Sequence, residues 1–141
     1  MTASEIRSVV VERDIPHPPE KVWRALTQPH LIAEWLMRND FVLAIGHRFN
    51  LQGEWGGVLN CEVLAVEPCK MLSYTWNHAH SDPAFSLNSV VTFTLTPARG
   101  GTHLRMEQKG FRPDQRQAFG GAMQGWQKFL DNLEQVVSRL D

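Results

Sequence analysis

The amino-acid sequence predicts an α+β fold, in which a curved antiparallel sheet of about six to seven strands wraps around a long C-terminal helix. Apolar and polar residues alternate over much of residues 40–109, which is the period of half-buried strands. From residue 119 onward the apolar residues recur at steps of three and four, which is the period of an amphipathic helix. An antiparallel sheet with one apolar face needs a covering layer, and this helix supplies it.

The beginning of the chain predicts one strand followed by two short helices. Residues 6–15 are rich in Val and Ile, which favours a strand. Two successive prolines suit the first turn of a helix over residues 18–26. Pro29 interrupts that helix and suits the first position of a second one over residues 29–36.

Six further strands are predicted before the final helix. Gly-rich and Pro-containing stretches separate them, and these residues favour hairpin turns. The alternation is clearest where Val91, Phe93 and Leu95 share one face and the intervening threonines share the other. The predicted strands are 41–45, 48–52, 58–67, 71–78, 87–97 and 102–110.

The C-terminal helix is predicted over about residues 113–140, with Pro113 in its first turn. Gly120, Gly121 and Gly125 lie inside its pattern, and each costs about 1 kcal/mol relative to alanine in a helix. They predict a bend or a close approach to the sheet, and we hypothesise a movable cavity entrance there. A plain packing contact or a later helix start is the alternative. The apolar stripe consists of Phe119, Met123, Trp126, Leu130, Leu133, Val137 and Leu140.

Length and charge exclude several classes of protein. The 141 residues predict a single domain over residues 1–141. A net charge of −1 gives no basic field for nucleic acid, and no apolar run is long enough to span a membrane. The first residues contain no secretory signal pattern, and Cys61 and Cys69 lie too far apart on an extended strand to form a disulfide. We therefore expect a cytoplasmic protein with reduced cysteines.

Four segments in order resemble a known family. The order of elements and these residues resemble the START-like (SRPBCC) superfamily with its helix-grip fold. Within that superfamily the chain is similar to the activator-of-heat-shock-protein-90-ATPase homologues. Ala65 and Gln108 stand where the family often has glutamate and histidine, so the resemblance implies no acid–base role at these two positions. The matching segments are 15–36, 63–76, 89–111 and 125–133.

The resemblance implies an elongated cavity between the sheet and the final helix, which would bind an apolar small molecule. Such pockets are lined mainly by apolar and aromatic groups with few polar anchors. Trp35, Trp76 and Trp126 fall in segments that would border the cavity, although an ordinary core role is favoured for each over contact with a ligand. The remaining candidate lining residues are Tyr74, Phe93, Met106, Gln108, Phe119 and Met123.

The sequence contains no familiar catalytic, metal or cofactor motif. His78 and His80 share one face of a strand end beside Asp82, but a zinc site needs three or four ligands, so we expect a solvated loop and no metal or cofactor. Tyr74, the chain's single tyrosine, is the best acid–base candidate. We therefore expect a ligand-binding module. One alternative is a protein-interaction role with a chaperone or as a homodimer, and the other is an enzyme of the cyclase or hydrolase type.

Overall fold

The computed structural model describes residues 7–53, 56–79, 81–82 and 86–140. These residues form a seven-stranded antiparallel sheet and three α-helices, which confirms the predicted helix-grip α+β fold. The elements are β1 (Arg7–Ile15), α1 (Pro19–Thr27), α2 (Pro29–Trp35), β2 (Arg38–Asn39), β3 (Arg48–Gln52), β4 (Val58–Glu67), β5 (Met71–His78), β6 (Leu87–Ala98), β7 (Gly101–Phe111) and α3 (Arg116–Ser138).

The strands follow the order β1-β7-β6-β5-β4-β3-β2, so the first strand pairs with the last. Each strand turns alternate residues toward the helices, and these inward positions are the buried ones. The β1–β7 register skips Gly110, which has φ +133°, and a Cβ there would collide with the carbonyl oxygen of Asn88. Glycine is therefore required where β7 passes closely over β6.

Helix α3 covers the inner face of the sheet with its second half. Its buried side chains begin at Trp126 and continue through Leu130, Leu133 and Val137. Earlier in the helix, Phe119 is half-buried and Met123 is 41% exposed. At the other end of the chain, the guanidinium of Arg13 donates to the Gln127 side-chain oxygen at 2.7 Å and to Asp131 at 3.1 Å. These bonds fasten β1 to α3.

The short helices α1 and α2 pack beside α3 on the same side of the sheet. Pro19 and Pro29 each open a helix, as predicted. The indole N–H of Trp35 in α2 donates to the carbonyl oxygen of Ala25 in α1 at 2.7 Å. Trp35 therefore joins the two short helices as well as filling the core.

The predicted strand over residues 41–45 is wrong. Phe41 is buried, but the following residues form an exposed loop, and the short strand β2 lies just before it. The side chain of Asn39 accepts the Phe41 N–H at 3.1 Å, and that of Asp40 accepts the Asn50 N–H at 2.7 Å. Two polar side chains thus accept backbone N–H groups that would donate to a neighbouring strand if this segment were paired in the sheet.

Two expectations about α3 also need correction. The helix begins at Arg116 rather than near residue 113. Gly120 and Gly121 do not approach the sheet closely, since a Cβ at either position would meet nothing within 4 Å. Gly120 and Gly121 face open space because the fully buried side chains of α3 begin only at Trp126.

The remaining expectations concern cysteines and membranes. Cys61 is buried and Cys69 half-buried, and both are free thiols as predicted. No helix in the part of the chain that the structure describes is long and apolar enough to cross a membrane.

Candidate functional site

A cluster of aromatic rings lies between the sheet and α3. Trp126 of α3 meets Trp76 of β5 with ring centroids 5.2 Å apart and Phe93 of β6 at 5.9 Å. Phe93 in turn lies 6.0 Å from Tyr74 and 6.1 Å from Trp35. These separations and tilted or edge-on geometries are those of favourable aromatic pairs. Strands β5 and β6 are neighbours, so their inward positions bring the rings together.

A chain of hydrogen bonds crosses this apolar layer. The indole N–H of Trp126 donates to the Gln108 Oε1 at 2.7 Å, and the Gln108 Nε2 donates to the Ser89 hydroxyl at 3.0 Å. The Ser89 hydroxyl donates to the carbonyl oxygen of Trp76 at 2.6 Å. Gln108 and Ser89 are both buried. We call these four residues the Gln108 network.

The Gln108 amide has hydrogen-bonding capacity beyond this network. A primary amide offers two N–H donors and two acceptor sites on its oxygen. The two bonds above use one donor and one acceptor. A second donor and a second lone pair are therefore available to a polar group that approaches the buried amide.

Two ionisable side chains of this interior are held neutral. Burial raises the pKa of the Tyr74 hydroxyl well above its ordinary value, and the nearby Cys61 raises it further. Burial, with a smaller contribution from the charge of Asp40, raises the pKa of Cys61 to about 12. Neither group is ionised at neutral pH, so neither provides a ready base or nucleophile.

The structure brings most of the candidate lining residues to the sheet–helix interior. Seven of the nine are buried, while Phe119 is half-buried and Met123 is exposed. Phe119 packs edge-on against Phe111 with ring centroids 5.6 Å apart, away from the cluster around Trp126. The buried seven are Trp35, Tyr74, Trp76, Phe93, Met106, Gln108 and Trp126.

Sequence reasoning missed several residues of this interior. Ser89 occupies an inward position of β6, two residues before Val91, and a serine in an apolar alternation is a signal that could have identified it. Phe41 and Phe49 also belong to the ring cluster, since Phe49 lies 5.0 Å from Phe41 and 5.2 Å from Tyr74. Phe41 was missed because the strand predicted over residues 41–45 gave no reason to single out its first residue, which is buried while the residues after it are exposed.

Two surface depressions are bordered by residues that the structure describes. One, of about 500 Å³, is bordered by the end of β1 and the β6–β7 turn. The other, of about 450 Å³, lies over β3, β4 and β5. Where α3 covers the sheet, the rings of Trp76, Phe93 and Trp126 occupy part of the interior.

The histidine pair considered for metal binding is only partly described. His78 ends β5, whereas His80 lies outside the described residues. Among the residues that the structure describes, no three His, Cys, Asp or Glu side chains are grouped to hold a metal ion.

Comparison with protein families settles the relationship that the fold suggests. Residues 16–138 match the family described as activator of Hsp90 ATPase homolog 1-like protein. The chain belongs to this family. A comparison with the curated proteins finds no match.

Solved structures with a similar fold agree with this assignment. Protein MLL2253 from Mesorhizobium loti is 72% identical, with a TM-score of 0.93 over 96% of this chain and 99% of that one. Protein BH1534 from Bacillus halodurans is 27% identical, with a TM-score of 0.78 over 94% and 97% of the two chains. DynU16, from the dynemicin biosynthetic locus, is 25% identical with a TM-score of 0.80, and the match covers 94% of this chain but 47% of DynU16.

Proposed function

We propose that this protein binds an apolar small molecule between the sheet and the N-terminal half of α3. The observation that carries the proposal is the Gln108 amide, a buried polar group with unused hydrogen-bonding capacity inside a cage of aromatic rings. Apolar walls with a few placed polar groups are the usual composition of small-molecule sites. The walls are Tyr74, Trp76, Phe93, Met106 and Trp126, with Gln108 as the polar anchor.

The first half of α3 supports this location. None of its residues from Arg116 to Gly125 is fully buried, whereas Trp126 and the residues of the stripe that follow it are largely buried. Three glycines weaken the helix in the same stretch. A segment with little buried apolar area and weak helix propensity opens at low free-energy cost. A ligand would enter where this segment lifts, with Phe119 and Met123 at the rim.

A pair of tryptophan substitutions on α3 tests the location. Ala122 is half-buried and packs against the core, while Gln124 is exposed. We expect Ala122→Trp to fill the entrance and abolish binding of N-phenyl-1-naphthylamine, an apolar fluorescent probe. The matched Gln124→Trp variant should bind as the unaltered protein does. Equal binding by the two variants would contradict this location.

Native mass spectrometry of the purified protein tests the proposed function itself. We expect an adduct at near-stoichiometric occupancy, which extraction then identifies as an apolar molecule. A mass of the polypeptide alone, together with no binding of the fluorescent probe by a folded sample, would contradict a binding role. The same spectrum distinguishes a monomer from a homodimer.

A second candidate function, a protein-interaction role, rests on the loop between β2 and β3. Its aliphatic side chains Val42 and Ile45 are 51% and 68% exposed, and Leu43 between them is also exposed. Clustered exposed aliphatic residues are typical of interaction sites. The family description makes an Hsp90-type chaperone the partner to test. The test compares the effect of the unaltered protein and of an Ile45→Ser variant on the chaperone's ATPase rate. A smaller effect of the variant would support this role. If neither protein changes the rate, this role is contradicted.

A further inference from the structure

Four asparagines form one row across the outer face of the sheet, which is the face turned away from the helices. The register pairs Asn50 of β3 with Asn60 of β4, Asn60 with Asn77 of β5, and Asn77 with Asn88 of β6. Asparagine is depleted in strands, so four in register on adjacent strands oppose the ordinary preference. Strand propensity therefore does not explain the four asparagines, and another physical role is needed to account for them.

The 450 Å³ depression lies over the middle of this row. Between the Asn60–Asn77 and Val63–Tyr74 pairs, the Glu62 N–H donates to the Thr75 hydroxyl at 2.8 Å. In a regular antiparallel ladder a backbone carbonyl of the neighbouring strand accepts such an N–H group. Here the Thr75 hydroxyl oxygen accepts it instead. The Thr75 side chain thus forms a hydrogen bond to the β4 backbone at the depression. Its lining residues are Arg48, Phe49, Asn50, Asn60, Cys61, Glu62, Thr75 and Asn77.

The hydrogen bonds within the row leave its central donors unused. The Asn50 Nδ2 donates to the Asn60 Oδ1 at 2.9 Å and to the Leu59 carbonyl at 3.2 Å, while the Asn77 Oδ1 accepts the Ser89 N–H at 3.1 Å. These bonds orient the amides of Asn60 and Asn77. Within the described part of the chain, the Nδ2 groups of Asn60 and Asn77 make no hydrogen bond, so each presents two donors to the depression.

The lining of the depression contains one cation and one anion. The Arg48 Nε lies 3.5 Å from the Glu62 Oε1, and both side chains reach solvent. The Asp40 carboxylate, which accepts the Asn50 N–H, adds a negative charge beside them, so the depression has no positive field that would select an anionic ligand. The Glu62 carboxylate is an acceptor for hydroxyl groups, and the two amides are donors to them.

We infer that this outer-face depression is a binding site for a neutral, polyhydroxylated molecule, namely a saccharide. Asn60 and Asn77 are directly opposite each other on strands about 5 Å apart, so one sugar ring can span both residues. Vicinal hydroxyls both donate and accept, which suits amides beside a carboxylate. The site lies on the opposite side of the sheet from the proposed apolar site, so each site can fail independently of the other.

The test is a titration with methyl α-D-glucopyranoside, followed by two-dimensional NMR of the asparagine side-chain amides. We expect saturable shifts of the Asn60 and Asn77 amide signals with a Kd on the order of 1 mM. Asn60→Leu should weaken binding about tenfold, the effect of losing one well-placed hydrogen-bonding group. Asn88→Leu is the matched control, since Asn88 belongs to the same row but does not line the depression.

Three results decide between the site and a merely structural row. Saturable shifts that Asn60→Leu weakens and Asn88→Leu preserves support the inference. Absence of saturation in the unaltered protein, or equal affinity in both variants, overturns it. Dispersed backbone amide signals of Asn60→Leu serve as the folding check, and its binding of N-phenyl-1-naphthylamine reports on the inner site separately.

Discussion

The indole N–H of Trp126 donates to the side-chain oxygen of Gln108 at 2.7 Å, and this bond joins α3 to β7 across an apolar layer. Trp126 is 1% exposed and Gln108 is 2% exposed. Buried polar groups without partners cost more than hydrogen bonds contribute, so each of these residues requires the other. The bond therefore fixes which turn of α3 faces which residue of β7.

Replacing Gln108 with leucine should destabilise the protein by about 1–3 kcal/mol, because the Trp126 N–H and the Ser89 hydroxyl lose a buried partner. Urea unfolding measures the change. In a Trp126→Phe background the same substitution should cost less, since the indole N–H is already absent. A double-mutant cycle in which the two effects simply add would contradict the coupling that we assign to this bond.

Alanine substitutions in the first half of α3 should stabilise the helix. A Cβ at Gly120 or Gly121 meets nothing within 4 Å, so Gly120→Ala and Gly121→Ala should each add about 0.5–1 kcal/mol to the free energy of unfolding. Gly110→Ala is the contrasting control, because its positive φ and the Asn88 carbonyl make the same change unfavourable. A loss of stability at Gly120 would show that this turn needs glycine for a reason other than space.

The alternation and the helical period predicted most of the fold because both follow from which side chains face the core. They could not predict the loop at residues 41–47, where the side chains of Asn39 and Asp40 accept backbone N–H groups. Local side-chain bonds of this kind leave no periodic signal. The apolar stripe likewise indicated a helix but not that its fully buried residues begin at Trp126.

The candidate site was predictable as a set of residues but not as a network. The aromatic residues could be named from their positions on inward faces. The bond between Gln108 and Ser89 depends on the β6–β7 register, which pairs Gln108 with Val91 and brings Ser89 within reach. A register shift of one residue would have turned Gln108 outward, and sequence alone does not fix the register.

The two halves of the α3 stripe should respond differently to truncation. Leu133 is fully buried, so Leu133→Ala should cost about 2–5 kcal/mol through lost burial and the cavity left behind. Met123 is 41% exposed, and Met123→Ala should change stability by less than about 0.5 kcal/mol. Chemical denaturation of the two variants compares them directly. Similar losses would mean that the first half of α3 packs on the sheet in solution.

The last prediction concerns pH and the His103 side chain on the outer face of β7. Its Nδ1 lies 2.7 Å from Asp14 and its Nε2 lies 2.8 Å from Glu12, both on β1. Ionised carboxylates only accept hydrogen bonds, so two carboxylate partners favour the doubly protonated imidazolium form of the ring. The bonds to Asp14 and then Glu12 raise the pKa of His103 above its ordinary 6.5.

A raised pKa in the folded state stabilises the protein at low pH and not at high pH. The contribution should be fully present below pH 6.5 and should disappear as the pH rises through the folded-state pKa of His103. The register places Arg105 opposite Glu12 on the neighbouring strand. NMR titration of the imidazole should therefore give a pKa above 6.5, lowered by Glu12→Gln and lowered further when Asp14 is also replaced by asparagine. A His103 pKa that neither substitution moves would show that the two carboxylates do not hold the ring in solution.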